Sequence, residues 1–138
     1  MKIAWIGTGV MGASMAGHLQ AAGHELTVYN RTKAKADELT ANGARWADTP
    51  AEAAVDAEVI FMIVGYPADV EAVALGDDGI INSAPSGSIL VDCTTSSPAL
   101  AVKIAEAGEA KGIAVLDAPV SGGDVGAKKC GALLYGRW

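Results

Sequence analysis

A chain of 138 residues that is 51% hydrophobic but only 5% aromatic has material for one domain, with a core of Ala, Val, Ile, Leu and Met as in buried parallel sheets. Sixteen acidic against ten basic residues leave a formal charge of −6, which argues against nucleic acid as a partner, since no Lys/Arg stripe exists to release counterions from a phosphate backbone. No apolar run approaches the length of a membrane span, and two cysteines, Cys93 and Cys130, do not make a disulfide framework.

The N-terminus reads as a strand rather than as a charged segment leading into an apolar signal core, so the expected location is a reducing cytoplasm with both thiols free. That strand, Lys2 to Ile6, feeds directly into Gly7-Thr8-Gly9-Val10-Met11-Gly12. The spacing fits a dinucleotide-binding turn in which Gly7 permits the tight bend, Gly9 lets backbone approach a pyrophosphate and Gly12 allows close helix-strand packing. A diphosphate would sit on the helix N-terminus, met by the N–H groups around Val10 and Met11 without a charged side chain. Met11, Met15 and Leu19 recur along one face of that helix, which Gly23 is expected to stop.

Glu25 to Tyr29 predicts a second strand, with Asn30-Arg31-Thr32 at its carboxyl end, where the adenosine ribose lies in such folds. An acidic residue there would bind a ribose 2′-hydroxyl and repel a 2′-phosphate. Asn30 is uncharged and Arg31 can take a phosphate in a forked geometry, so the pattern leans to NADP over NAD; a solvated turn is the plainer reading of Arg31. Lys33 to Ala41 reads as a polar-faced helix ended by Asn42-Gly43, and Arg45-Trp46 begins a short third strand. Thr49-Pro50-Ala51-Glu52 has the form of a capping box with proline at the first helical position.

Val59 to Val64 is a continuous apolar run with the character of a central strand, ended by Gly65-Tyr66-Pro67. Its end shares an edge with Gly7, so the backbone of Val64 and Gly65 should line the cofactor cleft. Ala68 to Leu75 is helical, Asp77-Asp78-Gly79 is a turn, and Ile89 to Asp92 is a strand leading into Cys93-Thr94-Thr95-Ser96-Ser97-Pro98. Ser97 and Pro98 suit helix capping, whereas the hydroxyls of Thr94 and Thr95 sit where they could reach cofactor or substrate. Ala114 to Leu116 is the sixth strand, followed by Asp117-Ala118-Pro119-Val120-Ser121-Gly122-Gly123. The two glycines beside Ser121 make either a nest for a carboxylate or a flexible turn. His18 and His24 read as surface residues without metal-ligand geometry.

Four stretches, I-G-T-G-V-M-G (6–12), Y-N-R-T (29–32), D-C-T-T-S-S-P (92–98) and D-A-P-V-S-G-G (117–123), resemble in order and spacing the 3-hydroxyisobutyrate dehydrogenase branch of the β-hydroxyacid dehydrogenases, relatives of 6-phosphogluconate dehydrogenase. The resemblance runs from residue 1 to about Ala127. It implies an α/β Rossmann domain, doubly wound with a mostly parallel sheet, and NAD(P)-dependent hydride transfer between the nicotinamide and a small 3-hydroxyacid or its semialdehyde. By the same resemblance Thr95 touches the nicotinamide side, and Ser121, Gly122 and Gly123 hold the substrate carboxylate. The family's catalytic lysine lies on a later helix, next to an all-helical second domain, and the sequence through Trp138 contains neither. Lys128 and Lys129 fall in the wrong segment to stand in for it.

The expectation for this chain alone is therefore cofactor binding without turnover, with self-association or marginal stability because apolar surface that the helical domain covers in the family is left exposed. Rival readings are a module that only holds NADP and a scaffold with a vestigial cleft. Relatives that reduce imines share the same cofactor domain. Residues 128–138 depart from the family's pattern. One base deleted from an adenine run encoding Lys128-Lys129 would make the following codons compatible with K-N-A-A-L-S-F-M-V-G-G, so this tail is expected to be an out-of-frame reading of a longer gene.

Overall fold

The computed structural model describes residues 1–94 and 97–119, together with the backbone of the strand residues at 120–121 and 133–134. Six strands, β1 (Lys2–Ile6), β2 (Glu25–Tyr29), β3 (Arg45–Trp46), β4 (Val59–Met62), β5 (Ile89–Asp92) and β6 (Ala114–Asp117), form one sheet in the order β3-β2-β1-β4-β5-β6. Every neighbouring pair in it is parallel. This is the doubly wound order of dinucleotide-binding folds, and its direction reverses between β1 and β4. A separate antiparallel pair joins β7 (Val120–Ser121) to β8 (Leu133–Leu134).

The helices are α1 (Val10–Ala21), α2 (Asp37–Ala41), α3 (Pro50–Ala54), α4 (Pro67–Leu75) and α5 (Pro98–Ala110). Strand alternation divides the core between the two faces of the sheet. Ala4, Ile6, Ile60, Met62 and Leu90 point toward α3, α4 and α5, where Val70, Leu100 and Ile104 complete the larger cluster. Ile3, Trp5 and Val28 point the other way, onto Ala16 of α1 and Leu39 of α2. Trp5 stacks on Phe61, its register partner in β4, with ring centroids 5.1 Å apart. On that second face, beyond α1, Val59, Phe61, Ile63 and Leu116 are only partly buried around Val91 and Cys93.

Several expectations are corrected here. The buried row of α1 is Gly12 and Ala16, with Met15 and Leu19 packing at its flank, so the closest approach to the sheet is made by small side chains. The expected helix from Lys33 to Ala41 is a 3-10 turn over Lys33–Ala36 followed by the short α2. Strand β4 ends at Met62 instead of Val64, β6 extends to Asp117, and Ile80–Asn82 forms a 3-10 turn after the predicted bend.

The capping signals are realised: Thr49 accepts from the Glu52 N–H, Ser97 accepts from the Leu100 N–H, and Gly23 (φ +96°) follows the last turn of α1. Among the described residues, no helix is long and apolar enough to cross a membrane.

Candidate functional site

The carboxyl ends of β1 and β4 meet where the strand order reverses, which places Gly7 against Ile63 and Val64. Gly7 adopts φ +100°, and a Cβ there would collide with the Ile63 carbonyl oxygen. A Cβ on Gly12 would collide with the carbonyl of Gly7. At Gly9, by contrast, φ is −67° and a Cβ would meet nothing within 4 Å. Two of the three glycines are thus required by the protein's own packing, while the third leaves open space.

The turn is fixed by the side chains of Trp5 and Asn30 and by a backbone hydrogen bond to the end of β2. The Trp5 indole N–H donates to the Gly7 carbonyl (2.9 Å), and the Gly7 N–H donates to the Tyr29 carbonyl (2.9 Å). Asn30 accepts the Thr8 N–H at Oδ1 (2.9 Å) and donates from Nδ2 to the Thr32 carbonyl (2.8 Å). Its amide therefore clamps the glycine turn to the end of β2. The Thr8 hydroxyl is buried and is, among the described residues, the one buried side-chain polar atom without a partner.

Helix α1 starts here with no side-chain cap at Gly9 and no acidic residue in its first turn. The N–H groups of Val10, Met11 and Gly12 lie in that turn, where no intrahelical acceptor exists for them. Such an N-terminus favours an anion through its directed N–H groups and the helix dipole.

Beside the turn lies a cleft of about 570 Å³ between the end of β2 and the start of α4, lined by Gly7, Asn30, Arg31, Thr32, Lys35, Val64 and Asp69 among others. Its size falls in the ordinary range of ligand pockets. The structure thus brings Gly7, Asn30, Arg31, Thr32 and Val64 to one cleft, while Gly65 adjoins it with Asp69 Oδ2 3.4 Å from where its Cβ would stand. Arg31 is exposed and pairs with Asp69 across the opening (Nη2 to Oδ1, 3.1 Å). Lys35 and Asp69 are lining residues that the sequence reading did not single out. Lys35 lies in the stretch read as a plain helix, and Asp69 joins the cleft only through the β4–α4 connection.

Thr94 departs from expectation. Its hydroxyl is buried and accepts the Val64 N–H (3.0 Å), while its own N–H donates to Asp92 Oδ1 (2.9 Å). It therefore supports the cleft wall from behind instead of entering the cleft. Burial pushes the Asp92 carboxyl up to about 6, against the hydrogen bonds from Thr94 and with a further push from Asp117, its register partner in β6. Burial, together with the charge of Asp92, pushes the Cys93 thiol up to about 12, so it is a buried apolar group and not a nucleophile at neutral pH.

Thr95, Gly122 and Gly123 lie outside the described residues. Ser121 is described only as backbone, in β7 opposite Leu133.

Compared with known proteins, residues 2–136 match the model of the NAD-binding domain of 6-phosphogluconate dehydrogenase. A mitochondrial 3-hydroxyisobutyrate dehydrogenase-like protein of Arabidopsis thaliana is 53% identical over 128 residues, which cover 92% of this chain and 38% of the relative. A crystal structure of 3-hydroxyisobutyrate dehydrogenase from Salmonella typhimurium superposes with a TM-score of 0.90 at 30% identity, covering 97% of this chain and 47% of that one. An imine reductase from Myxococcus stipitatus, in complex with NADP+, gives a TM-score of 0.79 at 31% identity, covering 91% and 43%. The chain spans 38–45% of the length of three curated relatives that it matches.

Proposed function

The chain belongs to the family of the NAD-binding domain of 6-phosphogluconate dehydrogenase, and from that premise we propose that it is the cofactor half of an oxidoreductase of the 3-hydroxyisobutyrate dehydrogenase type, with NADP preferred to NAD. The observation that carries this reading is the uncapped start of α1, with open space at Gly9, beside a cleft whose rim holds Arg31 and Lys35. Gly7, Gly9, Val10, Met11 and Gly12 receive the diphosphate. Asn30 holds the turn in place, Arg31 and Thr32 receive the 2′-phosphate, and the backbone of Val64 and Gly65 walls the cleft. A bound nicotinamide supplies the hydride chemistry; this chain binds and orients the cofactor.

Thr95 on the nicotinamide side, and Ser121 with Gly122 and Gly123 on the carboxylate of a small 3-hydroxyacid or semialdehyde, complete the reading. Turnover is assigned to a chain that also carries the remaining length of the relatives, where the group that moves the hydroxyl proton resides. The NADP+ complex of the similar imine reductase supports the cofactor choice.

Replacing Arg31 with alanine is expected to weaken NADPH binding roughly tenfold or more and to leave NADH nearly unchanged, since NADH has no 2′-phosphate for the guanidinium to hold. Fluorescence titration of both cofactors measures this; equal losses for the two would remove the 2′-phosphate assignment. Gly9→Ala separates ligand space from folding. With φ −67° and an open Cβ site, its stability should stay within about 1 kcal/mol of wild type. Its affinity for either dinucleotide should fall roughly tenfold, because the methyl occupies the approach of the pyrophosphate. A Gly9→Ala chain that melts normally and binds normally would move the diphosphate elsewhere.

A further inference from the structure

The ion pair across the cleft has a direction. Asp69 is the anchored partner: one carboxylate oxygen accepts the Tyr66 N–H at the start of α4 (3.2 Å), the other meets Arg31, and its side chain is 25% exposed against 80% for Arg31. It is also the acidic group in the lining of a cleft that carries two cations, Arg31 and Lys35. A phosphate monoester arriving there brings between one and two negative charges, so it meets repulsion from Asp69 and finds one face of the guanidinium already engaged. A ribose hydroxyl meets neither obstacle.

We propose that Asp69 moderates the cofactor preference of this site: with Arg31 it forms a strap across the adenosine end of the cleft, which a 2′-phosphate must open and a 2′-hydroxyl leaves closed. This rests on the reading of the cleft as the dinucleotide site. The strap moderates NADP preference and allows NAD to bind beneath it. Because exposed ion pairs are weak, the phosphate wins Arg31 but with reduced affinity. Asp69 acts through Arg31 and is a positioning residue, whose removal should strengthen binding of one cofactor only.

The test measures NADPH and NADH affinity for the chain and for its Asp69→Asn, Asp69→Ser, Arg31→Ala and Arg31→Ala/Asp69→Asn variants. Asparagine and serine both keep an acceptor for the Tyr66 N–H, and unchanged NADH binding reports that each variant is folded. The expected result is a gain of about three- to fivefold for NADPH in both Asp69 variants, with NADH within about twofold. In the Arg31→Ala background the gain should shrink to the part that comes from direct repulsion between Asp69 and the phosphate, because no guanidinium remains to be released.

A parallel change for both cofactors, a loss of NADPH affinity, or a gain as large without Arg31 as with it would overturn the strap. Failure of the wild-type chain to bind, or of Arg31→Ala to discriminate, would instead overturn the underlying site and the strap with it.

Discussion

Replacing Gly7 with alanine is expected to cost roughly 3–5 kcal/mol of stability. Two costs add. The residue sits at φ +100°, a region that L side chains rarely adopt, and the new Cβ would fall on the Ile63 carbonyl oxygen. Ile63 cannot retreat easily, because its N–H donates to the Ile6 carbonyl (2.9 Å) and the adjoining Met62 carbonyl accepts the Cys93 N–H (2.8 Å). Relief would require parting β1 from β4 at the point where the site is built. For a domain of this size the loss corresponds to a drop of about 10–15 °C in Tm. Gly12→Ala should behave similarly, since its Cβ collides with the Gly7 carbonyl, whereas Gly9→Ala should melt close to wild type. A Gly7→Ala melt within about 2 °C of wild type would show that β1 and β4 separate cheaply, and the steric account of the turn would fall.

These glycines also show why part of the site was legible in the sequence. A steric requirement is written in one residue type at a fixed spacing, so Gly7 and Gly12 announce the turn before any coordinate is known. The same holds for the Thr49 and Ser97 caps and for the apolar run of β4, each of them a local signal. Contacts that depend on which loops meet were not legible. Nothing in the text of the chain says that Asn30 would spend its amide on Thr8 and Thr32, or that Thr94 would hold Val64.

Asp69 likewise reads as an ordinary first-turn acid of α4, which it also is. Its place opposite Arg31 follows from the strand order that sets the end of β2 beside the start of α4. The inner row of α1 was not legible for a related reason. Met11, Met15 and Leu19 are the stronger hydrophobic signal, but the tight approach to β1 and β4 selects the small Gly12 and Ala16 for the inner row.

The Asp92→Asn chain is expected to be more stable than wild type at pH 7.5 by about 2–3 kcal/mol, and the gain should vanish on acidification. Asp92 is 3% exposed at the end of β5, and burial lifts its carboxyl from an ordinary 3.8 to about 6. Between those two values the folded chain holds a proton that the unfolded chain has released. Stability from this group is therefore present at low pH and falls as pH rises through about 6, and at neutral pH the domain carries the full cost of a desolvated carboxylate facing Asp117. Asparagine keeps the oxygen that accepts the Thr94 N–H, so the chain of contacts from residue 92 through Thr94 to Val64 survives the exchange. The exchange removes the charge and puts an amide NH2 in place of the second carboxylate oxygen. Denaturant melts of both chains at pH 7.5 and pH 4.5 isolate this group, because every other titrating residue is common to the pair and cancels in the difference. The gap should be largest at pH 7.5 and should have mostly closed at pH 4.5. A variant less stable than wild type at pH 7.5 would mean that the carboxylate's hydrogen bonds with Thr94, together with the cost of burying the amide N–H groups, outweigh what burial takes from the charge. A gap independent of pH would mean that the difference lies in packing rather than in the proton.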